Sequence, residues 1–173
     1  MVEQIMNDPL AKYRSGSTEP WTAALICALV AAKQPEVLLE TGTYLGLTTA
    51  EMIRVLPAGA VLHTIDNFDS AGVIPDDVLN HPQVQFHKAD AIQWITDYNG
   101  PFIDFAFVDD DHLAPHVDEE LEILLPKMSD HGLICVHDVI GHFGLSNVVR
   151  KYHGYVLDLP LMHLAGGLGL IQL

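Results

Sequence analysis

Basic residues are scarce: Lys and Arg number 8 against 23 Asp and Glu, for a formal net charge of -15 over 173 residues. Phosphate neutralisation needs clustered Lys and Arg, so neither nucleic acid nor an anionic membrane surface is an expected partner. Cysteine is nearly absent. Cys27 and Cys135 both lie in apolar segments, which points to buried thiols in a reducing compartment rather than to a disulfide framework. Long hydrophobic runs are missing too; the longest, Ala23 to Ala32, is too short to span a bilayer. The N-terminus carries Glu3 and Asp8 in place of a basic leader, so no secretory signal is expected. These absences leave a cytoplasmic protein whose acidic surface suits a cationic ligand or a metal. Its length suggests one domain over 1–173, and 49% hydrophobic residues suffice for a full core.

What is present alternates. "STEPWTAALICALVAAK" (17–33) starts with capping residues Ser17 or Thr18 and has Pro20 in its first turn, so a helix follows; its apolar residues cover most of the circumference, which predicts burial all round. "EVLLETG" is an apolar strand, "TTAEMIRVL" a helix, "AVLHTIDNF" a strand, "DDVLNHP" a short helix or loop, and "VQFHKAD" a third strand. "AIQWITDY" (helix) and "FIDFAFVD" (the most apolar strand) come next. "HVDEELEILLPKM" is an amphipathic helix with Val117, Leu121, Leu124 and Leu125 on one face, and "GLICVHDV" is a fifth strand. After the helix "SNVVRKY", the segments "GYVLDLP" and "GLGLIQL" read as an antiparallel hairpin. The expected fold is α/β: a Rossmann-like, doubly wound, mostly parallel seven-stranded sheet between helical layers, closed by that C-terminal hairpin. Ligands of such sheets bind at the carboxyl ends of the strands.

The strand ends therefore matter most. "VLLETGTYLGLTT" (37–49) feeds a glycine loop. It lacks the lysine of a phosphate loop, and Thr43-Tyr44 stands where a dinucleotide fingerprint needs glycine. A third reading is a loop for an adenosyl ligand without a pyrophosphate. Asp66 ends the second strand twenty residues after Gly46, placed to accept both ribose hydroxyls, and Asp90-Ala91 ends the third, placed to border an adenine ring. The fourth and fifth strands would be neighbours, bringing Asp109, His137 and Asp138 together as oxygen and nitrogen donors for a divalent cation.

On these residues the chain resembles the class I S-adenosylmethionine-dependent methyltransferases, and within them the small-molecule O-methyltransferases of the catechol and macrolide-sugar type. The motif E-x-G-x-x-x-G-x-[ST] is matched by Glu40, Gly42, Gly46 and Thr48, and the likeness runs from about Thr18 to Leu173. The resemblance implies methyl transfer from S-adenosylmethionine to a hydroxyl of a small-molecule acceptor. It assigns the cofactor to Glu40 (the methionine amino group), Gly42, Thr43, Tyr44, Gly46, Thr48, Asp66 with Asn67, Asp90-Ala91 and Asp109. The helix over 17–33 would act as a lid behind an N-terminal segment, 1–16.

Relatives hold a magnesium-like ion with residues matching Asp109, His137 and Asp138; the imidazole leaves Mg or Mn expected, with Fe, Zn and Ni open. His112 matches a catalytic lysine of catechol-type relatives and would serve as general base, with Asp109 and His137 as its catalytic companions. The pattern D-D-D-H replaces the relatives' usual D-G-D-H, putting Asp110 in a glycine position.

Around these lie residues with plainer expectations. Asp110 and Asp111 could cap the following helix, and Asp118, Glu119, Glu120 and Glu122 read as its solvated face. His63, His81, His87, His131, His142, His153 and His163 have no partner by spacing. The apolar N-terminal helix and the terminal hairpin could supply a homodimer face. Competing functions are a non-catalytic S-adenosylmethionine binder, a dehydrogenase-like nucleotide binder, and a metal-dependent hydroxylase or hydrolase using the Asp-His cluster.

Overall fold

A computed structural model describes residues 17–67, 73–158 and 166–173. The N-terminal segment 1–16, Phe68 and His163 lie outside them. The elements are α1 (Pro20–Lys33), β1 (Val37–Thr41), α2 (Leu47–Ile53), β2 (Val61–Asp66), α3 (Asp76–Leu79), β3 (Val84–Lys88), α4 (Ala91–Asp97), β4 (Ile103–Val108), α5 (Ala114–Leu124), β5 (Met128–His137), α6 (Leu145–Lys151), β6 (Tyr155–Leu157) and β7 (Leu168–Gln172).

The seven strands form one sheet in the order β3-β2-β1-β4-β5-β7-β6. The first five run parallel, and β7 lies antiparallel between β5 and β6. The order reverses between β1 and β4, so their carboxyl ends open the crevice where such folds hold ligands.

Side chains alternate across a strand, and two separate cores result. Leu38, Phe105, Phe107 and Cys135 pack with Ile26 and Val30 of α1 and Met52 of α2. Leu39, Ala106, Val108, Ile134 and Val136 pack with Ile95 of α4, Val117, Leu121 and Leu124 of α5, and Val148 and Val149 of α6. The same alternation, carried one residue past each strand, decides which face each functional side chain meets.

Some expectations change. α1 is buried on one side only, through Thr22, Ala23, Ile26 and Val30, while Trp21 is 59% exposed. Alanines cover the rest of its surface, and small side chains bury little even in an apolar-looking sequence. The helix expected to run to Met128 ends at Leu124, followed by a 3-10 turn over Leu125–Lys127 that contains Pro126. Pro126 lacks an amide donor. β5 therefore begins at Met128 instead of Gly132, with an irregular register against β4. Neither Ser17 nor Thr18 caps α1; the N-cap is Glu19, and Thr18 bonds elsewhere. No described helix is long and apolar enough to cross a membrane.

Candidate active site

A cavity of about 970 Å³ opens at the carboxyl ends of the strands. Gly42, Thr43, Tyr44 and Thr48 line it from the first loop and the start of α2, Asp66 and Asn67 from the end of β2, Asp90 and Ala91 from the start of α4 just past β3, and Asp109, His112, His137 and Asp138 from the ends of β4 and β5 and the residues that follow them. Twelve of the predicted site residues thus meet one space. Glu40 and Gly46 do not line it.

The loop is built by close approach. Gly42 has φ +85, and a Cβ there would sit 2.1 Å from the Asp109 carbonyl oxygen. Only glycine lets β1 and β4 converge at this point. Gly46, φ +70, starts α2 and faces Ile74, where a Cβ would come within 2.7 Å. Its work is to turn the chain into the helix. Tyr44 (φ 46) and Asp138 (φ 56) hold left-handed backbone without being glycine, a conformation that costs roughly 1–2 kcal/mol. Both face the cavity. The Tyr44 amide donates to Asp66 Oδ2 at 2.7 Å, tying the loop to the end of β2. Asp90 Oδ1 accepts from the Gln93 amide at 2.9 Å, so this acid also caps α4.

Glu40 lies behind the loop, 1% exposed. Its Oε2 accepts from Thr49 and Thr64, both at 2.6 Å, and Thr43 in turn donates to Thr64 at 2.6 Å. Its Oε1 has no hydrogen-bond partner. Burial, outweighing the two hydroxyls, pushes the Glu40 pKa up to about 7.

The opposite end of the cavity is a network of charge. Asp109 Oδ1 accepts from His137 Nδ1 and Glu19 Oε2 accepts from His137 Nε2, each at 2.8 Å. Thr48 donates to Thr18 at 2.9 Å, and Thr18 donates to Asp109 Oδ2 at 2.8 Å. His112 Nε2 is 2.8 Å from Asp138 Oδ2 and 3.6 Å from Asp109, the latter an ion pair beyond hydrogen-bond reach. The His142 ring stacks on His112 with centroids 4.4 Å apart. Burial alone would lower the His137 pKa, but the charge of Asp109 and bonds to Asp109 and Glu19 raise it well above its ordinary value. Asp109 and Asp138 raise His112 to about 10. Both rings are thereby shifted toward the imidazolium form. Burial works against the ionised Asp109 too, yet the His137 charge holds its carboxyl below the usual range.

The histidine and acids predicted from the strand ends thus converge. Glu19 and Thr18 were missed as site residues, since nothing in their spacing links them to β4 and β5. Asp110 and Asp111 do not cap α5, whose N-cap is Leu113. Asp111 accepts from the Leu113 amide at 2.8 Å, and Asp110 is 3.1 Å from His116 Nε2. Glu120 contradicts its assignment to a solvated face: it is 0% exposed.

Residues 39–139, more than half of the chain, match the family model for a methyltransferase domain, and the chain belongs to that family. No curated protein matches its sequence. Among solved structures, TomG from Streptomyces achromogenes, an O-methyltransferase of tomaymycin synthesis in complex with SAM, is similar at 21% identity and TM-score 0.73, covering 89% of this chain and 80% of that one. An O-methyltransferase from Bacillus cereus in complex with SAH has 16% identity and TM-score 0.77, over 99% of this chain and 90% of that one. The SAH-bound Podospora anserina methyltransferase PaMTH1 has 14% identity and TM-score 0.74, over 99% and 85%.

Proposed function

We propose that this chain transfers a methyl group from S-adenosylmethionine to a hydroxyl oxygen of a small molecule. One observation carries the reading: a single cavity joins Asp66 and Asp90, at the ends of β2 and β3, to the Asp109, His137 and Asp138 cluster, past the glycine loop. Such a shape suits an elongated adenosyl ligand whose reacting end lies at the acids and histidines. S-adenosylmethionine would supply an electrophilic methyl group on a sulfonium.

The chain's own residues bind and orient. Asp66 is assigned the ribose hydroxyls, Asp90-Ala91 the adenine edge, and Thr43, Tyr44 and Thr48 the loop side of the ligand. Glu40 is assigned the ammonium group through Oε1, the buried oxygen without a partner. Orientation at near-attack distance and exclusion of water are the protein's main contributions.

A divalent ion fits the far end. Ligand atoms of Asp109, His112, His137 and Asp138 all lie within 4.8 Å of one another, and two carboxylates with two imidazoles suit Mn, Fe or Zn as well as Mg. Held by Asp109, His137 and Asp138, such an ion would supply Lewis-acid polarisation of the acceptor hydroxyl. To bind it, His137 would have to lose the proton on one ring nitrogen and with it the hydrogen bond to Asp109 or Glu19. His112 is the assigned base, but an imidazolium held by Asp109 and Asp138 cannot take a proton. It serves as a base only when those carboxylates are otherwise engaged.

A homodimer and a cytoplasmic setting belong to the same proposal. The exposed side of α1, with Trp21, is the apolar face a second copy would cover.

The test is isothermal titration of the whole chain with S-adenosylmethionine and S-adenosylhomocysteine, beside Glu40→Ala/Asp66→Ala. Micromolar binding lost in the double variant supports the reading. Absence of binding in the folded wild type, with or without Mg or Mn, sinks it.

A further inference from the structure

The described residues have six buried side-chain oxygens without a hydrogen-bond partner, and four of them are Thr41 Oγ1, Asp110 Oδ1, Glu120 Oε1 and Glu120 Oε2. Buried polar atoms are normally satisfied, so a cluster of orphans marks something missing from the protein's own atoms. We propose that Asp110, His116 and Glu120 form a binding site for a divalent metal ion on the α5 side of the sheet, separate from the Asp109, His137 and Asp138 cluster.

Strand alternation separates the two. Glu40, Asp109 and His137 continue the series of Leu38, Phe105, Phe107 and Cys135, whose side chains meet α1 and α2. Thr41 and Asp110 continue the series of Leu39, Ala106 and Val108, whose side chains meet α5. Asp109 accordingly bonds Thr18 and His137, whereas Asp110 bonds His116 of α5 at 3.1 Å. His116 and Glu120 are four residues apart, one turn of helix, so they share a face.

The donor set is suited to a cation. Asp110, His116 and Glu120 each offer an atom, and these atoms all lie within 4.8 Å of one another. That span matches ligands around one ion with metal–ligand bonds of about 2.0–2.3 Å. Two carboxylates and one imidazole favour Mn, Fe(II), Co or Zn. Glu120 is fully buried and lacks any Lys or Arg partner. Thr41 and Asp110 are its neighbours, yet neither makes a hydrogen bond of acceptable geometry with it. A proton shared between Asp110 and Glu120 would satisfy two oxygens and leave the others orphaned; an ion can draw on all three side chains. Asp110 and His116 also line the cavity, which provides an entry path. Once bound, the ion ties the loop carrying Asp109, Asp111 and His112 to α5.

The experiment counts equivalents. EDTA-stripped whole chain is titrated with Mn(II) and with Zn(II), in wild type, in Asp138→Ala to remove the other cluster, and in Asp138→Ala combined with His116→Ala or with Glu120→Gln. His116 is partly exposed and Glu120→Gln keeps size, and far-UV circular dichroism verifies folding. The expected result is one equivalent retained in Asp138→Ala and lost in both combined variants. The proposal is overturned if Asp138→Ala binds neither metal, or if the combined variants keep the equivalent. S-adenosylmethionine binding, measured separately, reports on the methyltransferase reading alone.

Discussion

Two histidine pairs in this protein sit in opposite electrostatic states. His112 and His137, at the ends of β4 and β5, are ringed by Asp109, Asp138 and Glu19, and both are held protonated. His63 on β2 and His87 on β3 face each other at 3.0 Å beneath Trp94 of α4 and Tyr98 just past its end, with no carboxylate among their ring contacts. Burial, then the neighbouring His87, lowers the His63 pKa to about 4. The side chain is the same in both places. What differs is whether the fold surrounds it with anions or with aromatic rings, and that decides whether burial yields a cation or a neutral ring.

The comparison is broken most severely at Asp109. Asp109→Ala leaves the His137 imidazolium, 5% exposed, with Glu19 as its main remaining partner, and strips Thr18 of its acceptor. Removing one member of a buried pair costs about 3 kcal/mol or more, so the urea midpoint should fall sharply, with a smaller drop for Asp109→Asn. An unchanged midpoint would mean that the two rings are not held as cations.

Glu40 sharpens the contrast from the acid's side: it is a buried carboxyl with no cation beside it, and its pKa rises to about 7. Binding of a cationic ligand near Glu40 favours the ionised form, so S-adenosylmethionine binding near pH 7 should release a proton and strengthen as pH rises through about 7. Titration in buffers of different ionisation enthalpy detects the release. Glu40→Gln should abolish it and weaken binding about tenfold, the scale of one charge-assisted hydrogen bond.

The smallest effect is expected at His63. Its folded pKa of about 4 lies below the ordinary 6.5, so the folded state favours the neutral ring. The stability this represents is complete above about 6.5 and is lost as pH falls toward 4. Solvent screening of the partly exposed ring reduces it to about 1 kcal/mol. Glu40 works in the opposite sense, since its raised pKa favours the folded state in acid. The measurement is therefore the difference between wild type and His63→Phe across that window, in which Glu40 is common to both. A difference that does not change with pH would place His63 outside the comparison.

Much of the fold was legible because it rests on local pattern. Short apolar runs such as "FIDFAFVD" suit strands buried on both faces, and acids at their carboxyl ends announce the crevice. Glu120 was misread because a helix segment with four acids looks solvated in any window of sequence. Its burial depends on Thr41 and Asp110 arriving from two strands. His116 carried no signal for the same reason. Glu19 was invisible as a partner of His137, 118 residues away, because no periodicity relates a helix start to the end of β5.

The sequence by itself determined the parallel sheet, the glycine loop and the acids that end its strands, since those follow from side-chain period and backbone sterics within a few residues. Only the tertiary structure decided which side chains are charged. Protonation depends on what stands within a few ångströms in three dimensions, and here that means Asp109 beside His137, and the burial of His63 against His87.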